Sequence, residues 1–247
     1  MTRALAIALL SVSVLAAPAA AQSLRGMDQF SFDAGLGLTY GPDYMGAGDD
    51  GASPWIILRN PRLGGEQGQK QGLAITPSVN FIGKRDAGDS DSLSGMDDIG
   101  VTGELGLRLS YVSGPVTSYG AMRKGFGGHS GLVGEIGTKY RYDASDKLSL
   151  WTGVELELGD DEFTGTYFGV TDAESLASGH AAYDPDGGAY QAKLSLEARY
   201  MLTPDTSLIG RVTYGHLLGD AADSPLVQDK GAPSISLGIA RRLNFRF

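Results

Sequence analysis

Chemistry at neutral pH needs a few residue types, and this 247-residue chain is sparing with them: three histidines, His129, His180 and His216, and no cysteine. His216 lies near Asp220 and Ser224 in the stretch HLLGDAADSPLV. A serine, a histidine and an aspartate can build a nucleophile and its base, yet a triad is recognised by geometry, and three letters in one loop do not make one. The same stretch has a plainer account. Asp220 or Asp223 caps a helical turn, Ala221 and Ala222 favour helix, and Pro225 ends it. The expectation is a loop-packing role, with no catalytic residue.

Carboxylates are the other abundant chemical group. Asp49, Asp50, Asp89, Asp91, Asp97, Asp98, Asp160, Asp161 and Glu162 crowd three segments, but no twelve-residue calcium-loop spacing appears among them. They read as a solvated acidic surface, with no metal site and no cofactor expected. The net charge of −9 and the lack of any basic stripe exclude nucleic acid as a partner. Residues 86–98 are low in apolar content and are expected to be loosely held. In YFGV, Tyr167 and Phe168 interrupt a run of Asp, Ser and Gly, which predicts that they fold inward as a lid. A small apolar ligand bound there is the alternative.

The elements that must carry these segments are strands. Phe30, Phe32, Ala34, Leu36, Leu38 and Tyr40 alternate with Ser31, Asp33, Gly35, Gly37 and Thr39; comparable rows run over 101–111, 147–158, 191–202 and 235–247. Successive strand side chains point to opposite faces, and ten residues is the length a tilted strand needs to cross a bilayer. Weaker rows near 53–59, 72–82, 116–123, 131–142 and 206–216 bring the count to ten.

Residues 1–21 resemble a cleaved secretory signal peptide: one charge at Arg3, an apolar run from Ala4 to Ala17, then small residues. No later run approaches the ~20 apolar residues of a membrane helix. The reading is all-β: a signal peptide, then a single domain over 22–247, a transmembrane antiparallel β-barrel of ten strands in the outer membrane. Tight inner turns are expected at 113–115, 143–146 and 203–205, and long outer loops at 41–52, 83–98, 124–130, 159–189 and 217–232. Asn60 to Gln71 is long for an inner turn, and two extra strands there would make twelve.

One face of these strands holds Asp33, Glu104, Glu155, Glu157 and Glu197 together with Arg108, Lys139, Arg141, Lys193, Arg199, Arg211, Arg242 and Arg246. Facing a narrow lumen, opposite charges must pair, since an unpaired buried charge is costly. A narrow or plugged lumen follows. The final strand, ISLGIARRLNFRF, is expected to pair with the one beginning at Phe30 and to form the seam of the barrel. Arg241 sits on its apolar parity and breaks the pattern.

Three stretches, YGPDYMGAGDDGASPWI, YFGVTDAESLASGHAAYDPDGGAYQ and HLLGDAADSPLV, come in this order before a terminal strand ending in Phe. Together they resemble the MipA/OmpV family of outer-membrane proteins. The residues that carry the resemblance are Pro42, Asp43, Tyr44 and Gly46; Tyr167, Phe168, Gly169 and Val170; and Gly219, Asp220, Ser224 and Pro225. The resemblance implies a non-enzymatic scaffold that links a murein lytic transglycosylase to a murein-synthesising penicillin-binding protein. It also makes outer-membrane lipid, lipopolysaccharide and the barrel assembly machinery expected partners, with Phe247 as the assembly signal. A solute- or ligand-binding transport barrel with a loop lid is the alternative, and an outer-membrane hydrolase the third, because a barrel fold fixes no function.

Overall fold

Alternating apolar and polar residues settle into strands because each face then meets one kind of surroundings. The computed structural model describes residues 29–63 and 71–246. Its strands are β1 (Gln29–Pro42), β2 (Asp50–Leu63), β3 (Gly72–Ile82), β4 (Thr102–Ser113), β5 (Val116–Gly127), β6 (Leu132–Asp143), β7 (Leu148–Gly159), β8 (Gly188–Met201), β9 (Thr206–Leu217) and β10 (Gly231–Arg246). Short helices α1 (Asp161–Phe168), α2 (Asp172–Ser178) and α3 (Gly219–Asp223) lie in the long loops.

The strands form one antiparallel sheet in the order β2-β1-β10-β9-β8-β7-β6-β5-β4-β3. It curls into a transmembrane barrel wall with apolar side chains outward: Leu36, Leu107, Ile136, Val154, Leu196 and Leu237 are all exposed. Tyr111, Tyr140, Tyr142 and Tyr200 are exposed near the short-turn end, where an interfacial girdle belongs. Gly106 permits a close approach between β4 and β5, since a Cβ there would overlap the carbonyl oxygen of Met122.

Strand β10 pairs with β1 from Gln29↔Arg246 to Tyr40↔Ile235, as the alternation predicts. The seam, however, is elsewhere. β2 and β3 are the sheet's two edges and share no ladder among the described residues. A strand that pairs locally with its neighbour says nothing about where a sheet stops closing. Arg241 faces outward and is exposed, opposite Ala34 and Thr206 and close to the turn that ends β8. Its long stem can carry the charge from there to the polar boundary of the membrane.

Two further expectations change. Asn60 to Leu63 continues β2 instead of opening a turn, so ten strands stand and no twelfth-strand pair forms among the described residues. Residues 64–70 of the expected turn, residues 1–21 and Phe247 lie outside the described residues. Residues 86–98 are held in place rather than loose: two 3-10 turns, Ala87–Asp89 and Asp91–Leu93, seat Leu93 and Met96 in a buried cluster with Val170 and Leu226. Two well-placed apolar side chains anchor that loop despite its polar composition.

Candidate functional site

The inward row of each strand is where the charges go. Near the long-loop end, Arg123 on β5 donates from Nε to Glu104 on β4 (2.8 Å) and from Nη1 to Glu135 on β6 (2.7 Å) and to Ser78 on β3 (3.2 Å). Arg108 joins it on Glu135. Glu104 also accepts from Asn80 at 3.2 Å and faces His129 Nε2 at 3.3 Å. The other ring nitrogen, Nδ1, accepts the Gly131 N–H at 3.1 Å, which leaves Nε2 to face the Glu104 carboxylate. Glu157 pairs with Lys193 at 2.7 Å, and Tyr119 donates to Glu155.

The opposite wall is joined across the lumen. Arg59 on β2 reaches Glu197 on β8 at 2.6 Å, Arg211 on β9 reaches the same carboxylate at 2.7 Å, and Trp55 lies against both guanidiniums. Toward the short-turn end, Asp33 accepts from Arg199 (2.9 Å), Arg242 (3.0 Å) and Asn60 (2.7 Å). Chains of paired groups therefore occupy the interior from end to end, as the mixed inward charges predict. Arg123 and Glu135 were the least legible members: the alternation in their strands is weaker, and only their inward parity signals a lumen role.

Above this network the long loops form one cap. Phe163 and Phe168 from α1 are fully buried, and Tyr167 and Tyr190 nearly so. The Phe163 ring packs against His129, Tyr167 and Tyr190 at centroid distances of 5.1, 5.0 and 4.7 Å. Asp160 caps α1 by accepting from Phe163 N–H at 3.0 Å. The inward lid predicted from YFGV is thus present, and burial pushes the Tyr167 hydroxyl above its ordinary pKa.

The motif residues converge here. Tyr44 shares a hydrogen bond with Ser92 (2.7 Å) and donates to the Leu226 carbonyl (3.2 Å). Gly46, with φ of 96°, packs against Val227, and its carbonyl accepts from Gln228 and Asp229. The Asp43 N–H reaches the Asp49 carbonyl across the loop that follows Pro42. Gly169 ends α1, and Val170 bridges Tyr183. Ser224 donates to the Phe168 carbonyl at 2.6 Å, joining the second motif to the third. Gly219 opens α3 with φ of 53°, and Pro225 follows Ser224, the residue that ends it. Asp220 does not cap α3: its carboxylate accepts from Asp186 N–H at 3.1 Å, binding the third motif to the loop before β8.

His216, Asp220 and Ser224 are not brought together as a triad. His216 is on the exposed outward row of β9, Ser224 is buried on a carbonyl, and Asp220 serves a backbone N–H.

Sequence comparison adds relatives to this geometry. The family model for the MltA-interacting protein MipA matches residues 34–243. The MltA-interacting protein of Escherichia coli strain K12 is 29% identical over 174 residues, which cover 68% of this chain and 67% of that protein. A protein of the same organism named for the outer membrane, YiaT, is 26% identical over 113 residues, or 46% of this chain and 45% of its own length.

Proposed function

The chain belongs to the MltA-interacting protein family, and from that premise we propose that it is a non-enzymatic outer-membrane scaffold in murein remodelling. The relative's name states an interaction with MltA. Carried to this chain, that makes a murein lytic transglycosylase the first partner and a murein-synthesising penicillin-binding protein the second. The single observation that most supports the reading is the filled interior: a lumen occupied by ion pairs from Glu104 to Asp33 leaves the rims and outer surface for work on other molecules. Export through a cleaved signal peptide, contact with lipopolysaccharide at the acidic cap and delivery to the assembly machinery by Phe247 complete the proposal.

The murein enzymes act on the side of the membrane that the tight turns face in this reading. Those turns are exposed at Gly114–Pro115, Ala144–Lys147 and Leu202–Asp205. Crosslinking in native membranes followed by mass spectrometry tests the proposal. Recovery of a lytic transglycosylase, lost when the 144–147 and 202–205 turns are exchanged for minimal ones in a barrel that still folds, is expected. A partner profile without murein enzymes sinks it. Planar-bilayer recording provides a separate check, since a large, steady conductance contradicts the filled lumen.

A further inference from the structure

Among the described residues, one buried side-chain nitrogen has no hydrogen-bond partner: Nε of Arg199, on the inward row of β8. The same guanidinium donates from Nη2 to Asp33 Oδ2 at 2.9 Å, while Asp33 Oδ1 is taken by Nε of Arg242 at 3.0 Å. A buried donor left unpaired is costly, and each such group in a folded protein calls for a partner.

A small cavity lies beside that nitrogen. It measures about 20 Å³ and is lined by Asp33, Arg199, Asp205, Ser207, Ala240 and Arg242. The sheet register puts this space on the lumen side, beside the turn that joins β8 to β9: Met201 is paired with Ser207, Ser207 with Ala240, and Arg242 with Asp33. Short side chains make the room. Ser207 and Ala240, cross-strand partners on the inward row, are both buried, and a Cβ on the neighbouring Gly35 would overlap Ala240. Further along β9 the inward row turns to buried Ile209 and to Arg211, whose longer chains fill the lumen.

We propose that this cavity is a built site for one water molecule, held by Arg199 Nε, the Ser207 hydroxyl and the Asp33 carboxylate. A buried water needs roughly 10–15 Å³ of such space and about two to four polar partners, and the cavity offers both while being too small for a sugar, a peptide or a lipid headgroup. The mixed lining disfavours an ion: a cation would meet two guanidiniums, and an anion would meet the carboxylates of Asp33 and Asp205. Water answers both kinds of group. It accepts from the Arg199 N–H and donates to Asp33 Oδ1, which among the described residues accepts from Arg242 alone. The Ser207 hydroxyl is the third partner, able to donate or to accept. So placed, the water joins β9 to the knot in which Asp33 ties β1 to β8 and β10, and it completes the closure of the lumen at the end of the tight turns. The site does not depend on the scaffold reading.

Crystals of the protein purified from membranes, diffracting far enough to show ordered water, test this directly. A single density peak about 2.7–3.2 Å from Arg199 Nε, within the same reach of Ser207 Oγ and an Asp33 oxygen, is expected. It should give no anomalous signal after soaking in a bromide or a rubidium salt. Ser207→Val fills the space and removes one partner, so the peak should disappear while the ladder between β8 and β9 is kept. A cavity without density, a bromide or rubidium peak inside it, an Arg199 side chain turned so that Nε reaches Asp33 directly, or a peak that survives Ser207→Val overturns the proposal.

Discussion

Two parts of the same wall solve the lumen problem in opposite ways. From β4 to β8, inward positions carry long charged side chains that saturate one another, with Arg123 alone bridging Glu104, Glu135 and Ser78. Along β3 the inward positions are Ala74, Thr76, Ser78 and Asn80, with no charge to pair, and the neighbouring edge of β2 is unladdered. The difference teaches that this barrel is held shut by side-chain networks where it is filled, and by loop contacts where it is not. Sheet hydrogen bonds contribute to both parts, but they stop at the seam.

The strongest way to break that comparison is Arg123→Ala. It leaves the buried Glu104 without its arginine, while Arg108 still serves Glu135, and a loss of about 3 kcal/mol is expected, measured by urea unfolding of vesicle-inserted protein. Next comes Phe168→Ala in the cap, expected to cost on the order of 3 kcal/mol through an unfilled cavity. Protease cleavage of the 160–187 loop should accelerate while the barrel stays folded. Arg59→Ala touches the less filled side. Because Arg211 still serves Glu197, the expected loss is about 1 kcal/mol, and a loss equal to that of Arg123→Ala would erase the contrast between the two parts.

A smaller effect sharpens the role of the cap. Burial pulls the Glu174 pKa up, but the Thr171 and Asp97 N–H groups, the Thr171 hydroxyl and Arg85 together hold it below the ordinary 4.5. A depressed carboxylate pKa contributes stability that is present above the ordinary value and is lost as pH falls through the folded one. The protection of α2 amides against hydrogen exchange, relative to their intrinsic rates, should therefore fall below about pH 4.5, and Glu174→Gln should flatten that profile. An unchanged profile in the variant would remove Glu174 from the clasp between α2 and the loop before β4.

Much of the wall was legible because alternation is a local property. Phe30 to Tyr40 displays its two faces without reference to any other strand, and the same holds for the charges on the inward row. Tyr167 and Phe168 were legible for a similar reason, as two aromatics stranded in a polar loop. The roles of His129 and Asp220 were not. His129 lies between Glu104 and the Gly131 N–H, and Asp220 serves Asp186 rather than its own helix. Both depend on where other loops fall.

The sequence by itself determined the face each side chain takes and the need for inward charges to pair, since a period of two and the cost of burying charge require no knowledge of partners. Tertiary structure alone decided which charges meet, as with Asp33 and Arg242 at the two ends of the chain, and that among the described residues β2 and β3 share no ladder. Curl and closure are set by the whole sheet at once, so no single strand carries that information.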